Sequence, residues 1–305
     1  MSRVESWPSD APLRLVQNGL EGVRSVTGLP WWGSIVASTV VLRAAATLPV
    51  SVFVHRNAAR LQIDAAPQLE AWKERIAVEL RHKYRHEGKS FEEFEKAFRS
   101  EYAGRVKQVM KENGIRGPIF SLAVPLVQIP MWVVVSLTIR RMSAAPLLWF
   151  EPLPEPVAGF VDGGIGSCKD LTVPVTSYGI PVAIAAANLF NIYWGSLSRK
   201  PSARPLYRYV TNAMKVLSLA MIPAAGSVPS ALAVYWLTSS GFSVLQNLAL
   251  YHPRVRRVFR MRTLPGERGT PVAEAIRLWR EGSLASTTWK AIREWKRPMW
   301  WRPLR

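Results

Sequence analysis

Residues 31–54 form a run of 24 in which Arg43 is the one ionisable side chain. A stretch of that length is the size of a transmembrane helix, which needs about 20 apolar residues. At 1.5 Å per residue, Arg43 lies about 16–18 Å from either end of the run. Snorkelling alone hardly reaches water from that depth. Placing an arginine mid-membrane costs roughly 2.5–3.5 kcal/mol, and such residues face a bundle interior or an aqueous cavity. The chain therefore has to provide something polar or hydrated at the centre of its fold.

Four more apolar segments follow. Residues 117–139 contain Pro118, Pro125, Gln128 and Pro130; residues 178–197 contain Asn188 and Asn191. Residues 209–225 are interrupted by Lys215, which makes this the weakest of the set. Residues 228–251 carry no charge but hold Thr238, Ser239, Ser240, Gln246 and Asn247. Prolines do not defeat a helix here, because packed neighbours satisfy the freed backbone groups. Pro223, Gly226 and Pro229 mark a tight turn, so the last two segments read as an antiparallel pair. The mean hydropathy of +0.04 hides these windows. With 49% hydrophobic residues and a formal charge of +19, apolar and cationic character must be segregated along the chain.

The cations give an orientation. Residues 55–116 hold 14 Lys and Arg, residues 198–208 hold 4, and the tail 252–305 holds 14, against 3 in residues 1–30 and 3 in the loop 140–177. The positive-inside rule then puts the amino terminus outside and the tail inside. Five spans fit that assignment. The expected fold is an all-α membrane protein with a five-transmembrane-helix core and an inward-facing helical hairpin between spans one and two.

The hairpin reading rests on periodicity. Leu69, Trp72, Ile76, Leu80 and Tyr84 recur at spacings of three and four, as do Phe91, Phe94, Phe98, Tyr102, Val106 and Val109 or Met110. These are the apolar stripes of amphipathic helices. Gly88 can end the first helix, and Ser90 with Glu93 forms a capping box for the second. Ten acidic residues leave residues 55–116 near +4. That is weak for a nucleic-acid arm.

The tail 252–305 is net +10, with Trp279, Trp289, Trp295, Trp300 and Trp301 interleaved. Such a mixture suits an anionic leaflet, and also ribosomal RNA through phosphate pairing and stacking. A tail lying on its own membrane is the favoured of the two. Cys168 is the single cysteine, so no intramolecular disulfide forms, and the histidines His55, His82, His86 and His252 offer no zinc spacing. The His82 and His86 pair, at i and i+4, reads as a solvated helix face. No catalytic constellation, cofactor motif or Gly-rich phosphate loop stands out. The expected protein is not an enzyme and uses no cofactor or metal.

An internal salt bridge to Arg43 lacks a partner, since none of the five apolar segments contains Asp or Glu. What they contain is neutral: Gln128, Asn188, Asn191, Ser239, Ser240 and Gln246. Each of these can bond a neighbouring helix, a common role in membrane packing. Together with an unpaired arginine, they can also line a hydrated groove.

Three stretches carry a resemblance. TGLPWWGSIVASTVVLRAAATLPV, PLVQIPMWVVVSL and MIPAAGSVPSALAVYWLTSSGFSVLQNLAL resemble the first, second and last two core spans of the YidC/Oxa-type membrane insertases, most closely the mitochondrial branch that assembles cytochrome c oxidase. The likeness extends over residues 27–251, with the motifs in order and a basic hairpin between the first two. It implies five helices around a groove open to lipid and to the inner compartment but closed outside, with Arg43 at its centre. Gln128 matches the glutamine of span two. Pro49, Pro130, Pro229, Tyr235, Trp236 and Gln246 belong to the matching motifs, whereas Asn188 has little motif around it. Implied partners are newly made membrane proteins, foremost cytochrome c oxidase subunit 2, together with anionic lipid; assembly factors and the ribosome are further candidates.

The implied location is the mitochondrial inner membrane, with the amino terminus in the intermembrane space and the tail in the matrix. Residues 1–30 include Glu5, Asp10 and Glu21, whereas transit peptides are acidic-poor. Import is thus implied by the resemblance and not by a presequence. The loop 140–177 is a further departure, long and rich in Pro and Gly. Two other classes compete with an insertase: an anion transporter using Arg43, and a scaffold or ribosome tether built on the hairpin and tail. The chain lacks the internal repeat expected of transporters.

Overall fold

Long apolar runs without alternation fold as helices, since a helix satisfies its own backbone. The computed structural model describes residues 11–117, 120, 123–146, 155–166, 168–197 and 205–262. Among these there is no strand, only two isolated bridges. The helices are α1 (Ala11–Thr27), α2 (Trp31–Arg60), α3 (Ala66–His86), α4 (Phe91–Glu112), α5 (Ala123–Met142), α6 (Gly179–Leu197), α7 (Pro205–Gly226), α8 (Ser230–Tyr251) and α9 (Pro253–Val258). A π-helical turn, Leu61–Ala65, joins α2 to α3. The five tail tryptophans, residues 1–10 and the basic stretch 198–204 lie outside the described residues.

Among the described residues, one helical run, Trp31–His86, is by length and composition long and apolar enough to cross a membrane. Each of α5 to α8 has 19 to 22 residues. At 1.5 Å per residue that is about 30 Å, a bilayer's hydrocarbon thickness.

The chain divides into two compact units: residues 1–57 with 114–247, and residues 58–113 with 248–305. In the first, the core gathers at one end of the bundle. Trp31 and Ile35 from the start of α2, Ile184 from the start of α6, and Ala231, Leu232 and Tyr235 from the start of α8 meet Ile139 and Met142 from the end of α5 and Ala225 from the end of α7. So α2, α6 and α8 run one way, and α5 and α7 run the other. α1 lies on α5, where the Thr138 hydroxyl donates to the Leu13 carbonyl at 3.4 Å.

Irregular chain after α5 seals that end. Phe160 and Leu171 are fully buried, and Phe160 meets Trp31 edge to face at 4.8 Å. The free N–H groups that open a helix need acceptors. Here loop carbonyls supply them: Gly163 accepts from the Trp32 amide at 2.9 Å, Leu171 from Ala231 at 3.1 Å and Val173 from Ser230 at 2.8 Å. The Ser230 hydroxyl also donates to the Asp170 carbonyl at 2.7 Å, and the Trp31 indole N–H to the Ala158 carbonyl at 2.9 Å. Gly164 is required at its position, since a Cβ there would sit 1.7 Å from the Cys168 carbonyl oxygen.

The second unit contains α3 and α4, which pack along each other. Ile76, Leu80 and Val109 are its buried side chains on these helices. Tyr84 and Phe94 have centroids 6.2 Å apart, and the Arg105 guanidinium stacks 4.2 Å over Trp72. Gly88 turns the chain with φ +63°, a conformation glycine adopts without strain. Ser90 then caps α4 as its spacing to Glu93 predicts: the Glu93 amide donates to the Ser90 hydroxyl, and the Ser90 amide donates back to the Glu93 carboxylate at 2.9 Å. Asp64, in the π-helical turn, pairs with Arg262.

Candidate functional site

Arg43 is 3% exposed. Its position on α2 turns the guanidinium toward α8, where Nη2 donates to the Ser239 carbonyl at 2.7 Å and to the Ser243 hydroxyl at 2.6 Å. Phe242 places its ring centroid 5.8 Å from the guanidinium carbon. No carboxylate takes part. The charge is met by a backbone dipole, a hydroxyl and an aromatic face. Arg43 Nε has no acceptor among the described residues.

Helical spacing explains why these groups converge. Ser239, Ser243 and Gln246 stand at i, i+4 and i+7, one face of α8. That face meets α2, and the Gln246 amide donates to the Ser51 hydroxyl at 2.7 Å. The Ser243 hydroxyl also donates to the Ser239 carbonyl at 3.2 Å, so this carbonyl serves both Arg43 and Ser243.

A second seam joins α8 to α6. The Ser240 hydroxyl donates to Asn188 Oδ1 at 2.9 Å, Asn191 Nδ2 to the Ser240 carbonyl at 3.4 Å, and Asn247 Nδ2 to Asn191 Oδ1 at 2.8 Å. In both seams the numbers rise together along the two partners, so α8 is parallel to α2 and to α6. Asn188, Asn191, Ser240 and Gln246 thus adopt the interhelical role, whereas Ser239 takes part through its backbone carbonyl.

Other expected residues sit around the seams. Trp236 donates its indole N–H to the Ser136 hydroxyl at 3.1 Å and stacks on Trp132 at 5.4 Å, which ties α8 to α5. Tyr235 is 1% exposed and its hydroxyl has no partner among the described residues. Gln128 is half-buried on α5, outside the hydrogen-bonded set. Pro49 and Pro130 lie inside α2 and α5. Pro229 precedes α8, its carbonyl accepting from the Leu232 amide at 2.9 Å.

The sequence reading missed Ser51, Ser243 and Phe242 and left Asn247 out of the site. Ser243 had a signal, its i+4 relation to Ser239. Ser51 had none, because a lone serine in an apolar run is ordinary.

Known proteins bear on this arrangement. A family model described as 60Kd inner membrane protein matches residues 22–257. The human cytochrome c oxidase assembly protein COX18, mitochondrial, is 30% identical over 272 residues, covering 88% of this chain and 79% of that protein. Its mouse counterpart is 32% identical over 271 residues with the same coverage. The mitochondrial inner membrane protein OXA1 of Arabidopsis thaliana is 26% identical over 254 residues, covering 83% of this chain and 53% of that protein. The matched region contains every helix from α2 to α8 together with both polar seams. The chain belongs to the 60Kd inner membrane protein family, the YidC/Oxa-type membrane insertases.

Proposed function

We propose that the chain is an insertase of the mitochondrial inner membrane that supports cytochrome c oxidase assembly, and that α2, α5, α6, α7 and α8 are its five spans. The observation that carries the reading is Arg43: a cation buried against neutral acceptors in a chain whose relatives are named for oxidase assembly. A client's hydrophobic segment passes between helices into lipid, driven by transfer of apolar side chains out of water. Its polar flank crosses beside Arg43 and the polar seams, where the barrier is lowered by groups that can bind water or a carboxylate. No bond is made or broken, so no enzymatic chemistry is needed.

The client we assign is cytochrome c oxidase subunit 2, whose carboxyl-terminal domain is exported. Cation asymmetry supports an orientation with the amino terminus in the intermembrane space and the tail in the matrix, where α3 and α4 form the inward-facing hairpin. The basic tail then lies on the anionic matrix leaflet.

The test uses mitochondria lacking this protein. Newly made subunit 2 is radiolabelled and protease is added after the outer membrane is opened. The exported domain should be protected in these mitochondria and cleaved once the protein is restored. Equal cleavage with and without the protein removes subunit 2 as the client.

A further inference from the structure

Arg43 is held by α8 rather than left open to a client, and this has a mechanistic content of its own. Arg43 is 3% exposed, and one guanidinium nitrogen, Nη2, donates both to the Ser239 carbonyl and to the Ser243 hydroxyl. Of its two acceptors, the Ser239 carbonyl belongs to the backbone of α8 and cannot leave without distorting the helix. The Ser243 hydroxyl, which accepts from Arg43 while donating to the Ser239 carbonyl at 3.2 Å, can, because a turn of its short side chain about Cα–Cβ carries the oxygen away and leaves the helix backbone in place. Two buried donors have no partner among the described residues: Arg43 Nε and the Tyr235 hydroxyl. A resting guanidinium with one exchangeable acceptor and a spare N–H is suited to trading a serine for a carboxylate, a stronger and bidentate acceptor.

We infer that Ser243 is a positioning residue that parks Arg43 against α8 in the resting state, and that an acidic group on a client flank takes the place of the Ser243 hydroxyl. This rests on the insertase reading above and deepens it. Ser243 thereby sets a threshold. A neutral flank competes poorly with the hydroxyl, whereas an aspartate or glutamate displaces it.

Two readouts on the full chain in proteoliposomes test this. The first needs no client: modification of Arg43 by phenylglyoxal, located by mass spectrometry, in the wild type and in Ser243→Ala and Ser243→Thr. Loss of one charge-assisted hydrogen bond corresponds to about a tenfold change, so Ser243→Ala should raise the Arg43 rate about tenfold. Ser243→Thr, which keeps the hydroxyl, should stay at the wild-type rate. Equal rates in all three proteins overturn the parking role, and equally fast rates in Ser243→Ala and Ser243→Thr attribute the effect to packing and overturn it too.

The second readout is insertion of a client with an acidic flank against the same client with that flank neutralised to Asn or Gln. Ser243→Ala should narrow the advantage of the acidic flank, since the neutral flank no longer competes with the hydroxyl. An unchanged advantage overturns the threshold. If neither client is inserted by the wild type while the phenylglyoxal pattern holds, the insertase reading fails and the parking of Arg43 stands.

Discussion

The Gln246 side-chain amide donates to the Ser51 hydroxyl at 2.7 Å, about two turns along α2 from Arg43. This bond and the Arg43 contacts fasten the same faces of α2 and α8 at two heights. Interhelical hydrogen bonds in membranes average about 0.6 kcal/mol and reach about 1.7 kcal/mol. Gln246→Ala and Ser51→Ala should each destabilise the protein within that range. The double variant should cost little more than either single one. Unfolding by titrated denaturing detergent, run as a double-mutant cycle, reads the coupling, and strict additivity would show that the two side chains act separately.

Arg43 itself is expected to tolerate lysine better than alanine. An ammonium has three donors and can still address the Ser239 carbonyl and the Ser243 hydroxyl, though it lacks the planar fork that grips a carboxylate. Export of an acidic client domain should fall about tenfold in Arg43→Ala and about threefold in Arg43→Lys, in line with losing one charged interaction or its bidentate geometry. The protease-accessibility assay gives both values. Alanine at wild-type efficiency would remove Arg43 from the transport step.

Gly164→Ala probes the sealed end of the bundle. The new methyl group would collide with the Cys168 carbonyl oxygen at 1.7 Å. Relief requires moving the backbone that also supplies acceptors to α2 and α8. Overpacking of this kind costs about 1–3 kcal/mol. The thermal midpoint of the purified protein should drop, and unchanged stability would mean that the loop yields freely.

The start of α4 should respond to acid. The backbone N–H and then the hydroxyl of Ser90 donate to Glu93 and hold its carboxyl below the usual carboxylate range. A group whose folded value is depressed stabilises the fold above its unfolded value, about 4.3, and loses that contribution as pH falls through the lower, folded value. Protection of the first-turn amides of α4, measured as the exchange rate relative to an unstructured peptide at the same pH, should therefore fall below about pH 4. In Ser90→Ala it should be low already at neutral pH. Protection that does not change with pH in the wild type would dissociate Glu93 from the cap.

Parts of this architecture are legible in the chain because they are local. Ser90 and Glu93 are three residues apart, and Arg43 announces its depth by counting along one helix. The partner of Arg43 is not legible in the same way. Ser243 lies 200 residues away, and which serine of α8 meets α2 depends on helix register. The cap is harder still. Phe160 and Leu171 sit in irregular chain with no hydrophobic period, and their burial follows from carbonyls placed at the ends of distant helices. Asp64 and Arg262 pair across 198 residues, and composition gives each of them many equivalent candidates.

The cap makes the first unit a lever. Five helices, α2, α5, α6, α7 and α8, share one tied end, so any splaying between them must pivot there and grow with distance from it. A tilt of 10° moves a helix by about 3 Å at the level of Arg43, some 18 Å from Trp31, and by about 5 Å at a far end some 30 Å away. Three ångströms is enough to break a hydrogen bond. Five ångströms is about half the distance between packed helix axes. The same small rotation thus releases the guanidinium and parts the helices beyond it, while the tied end stays shut.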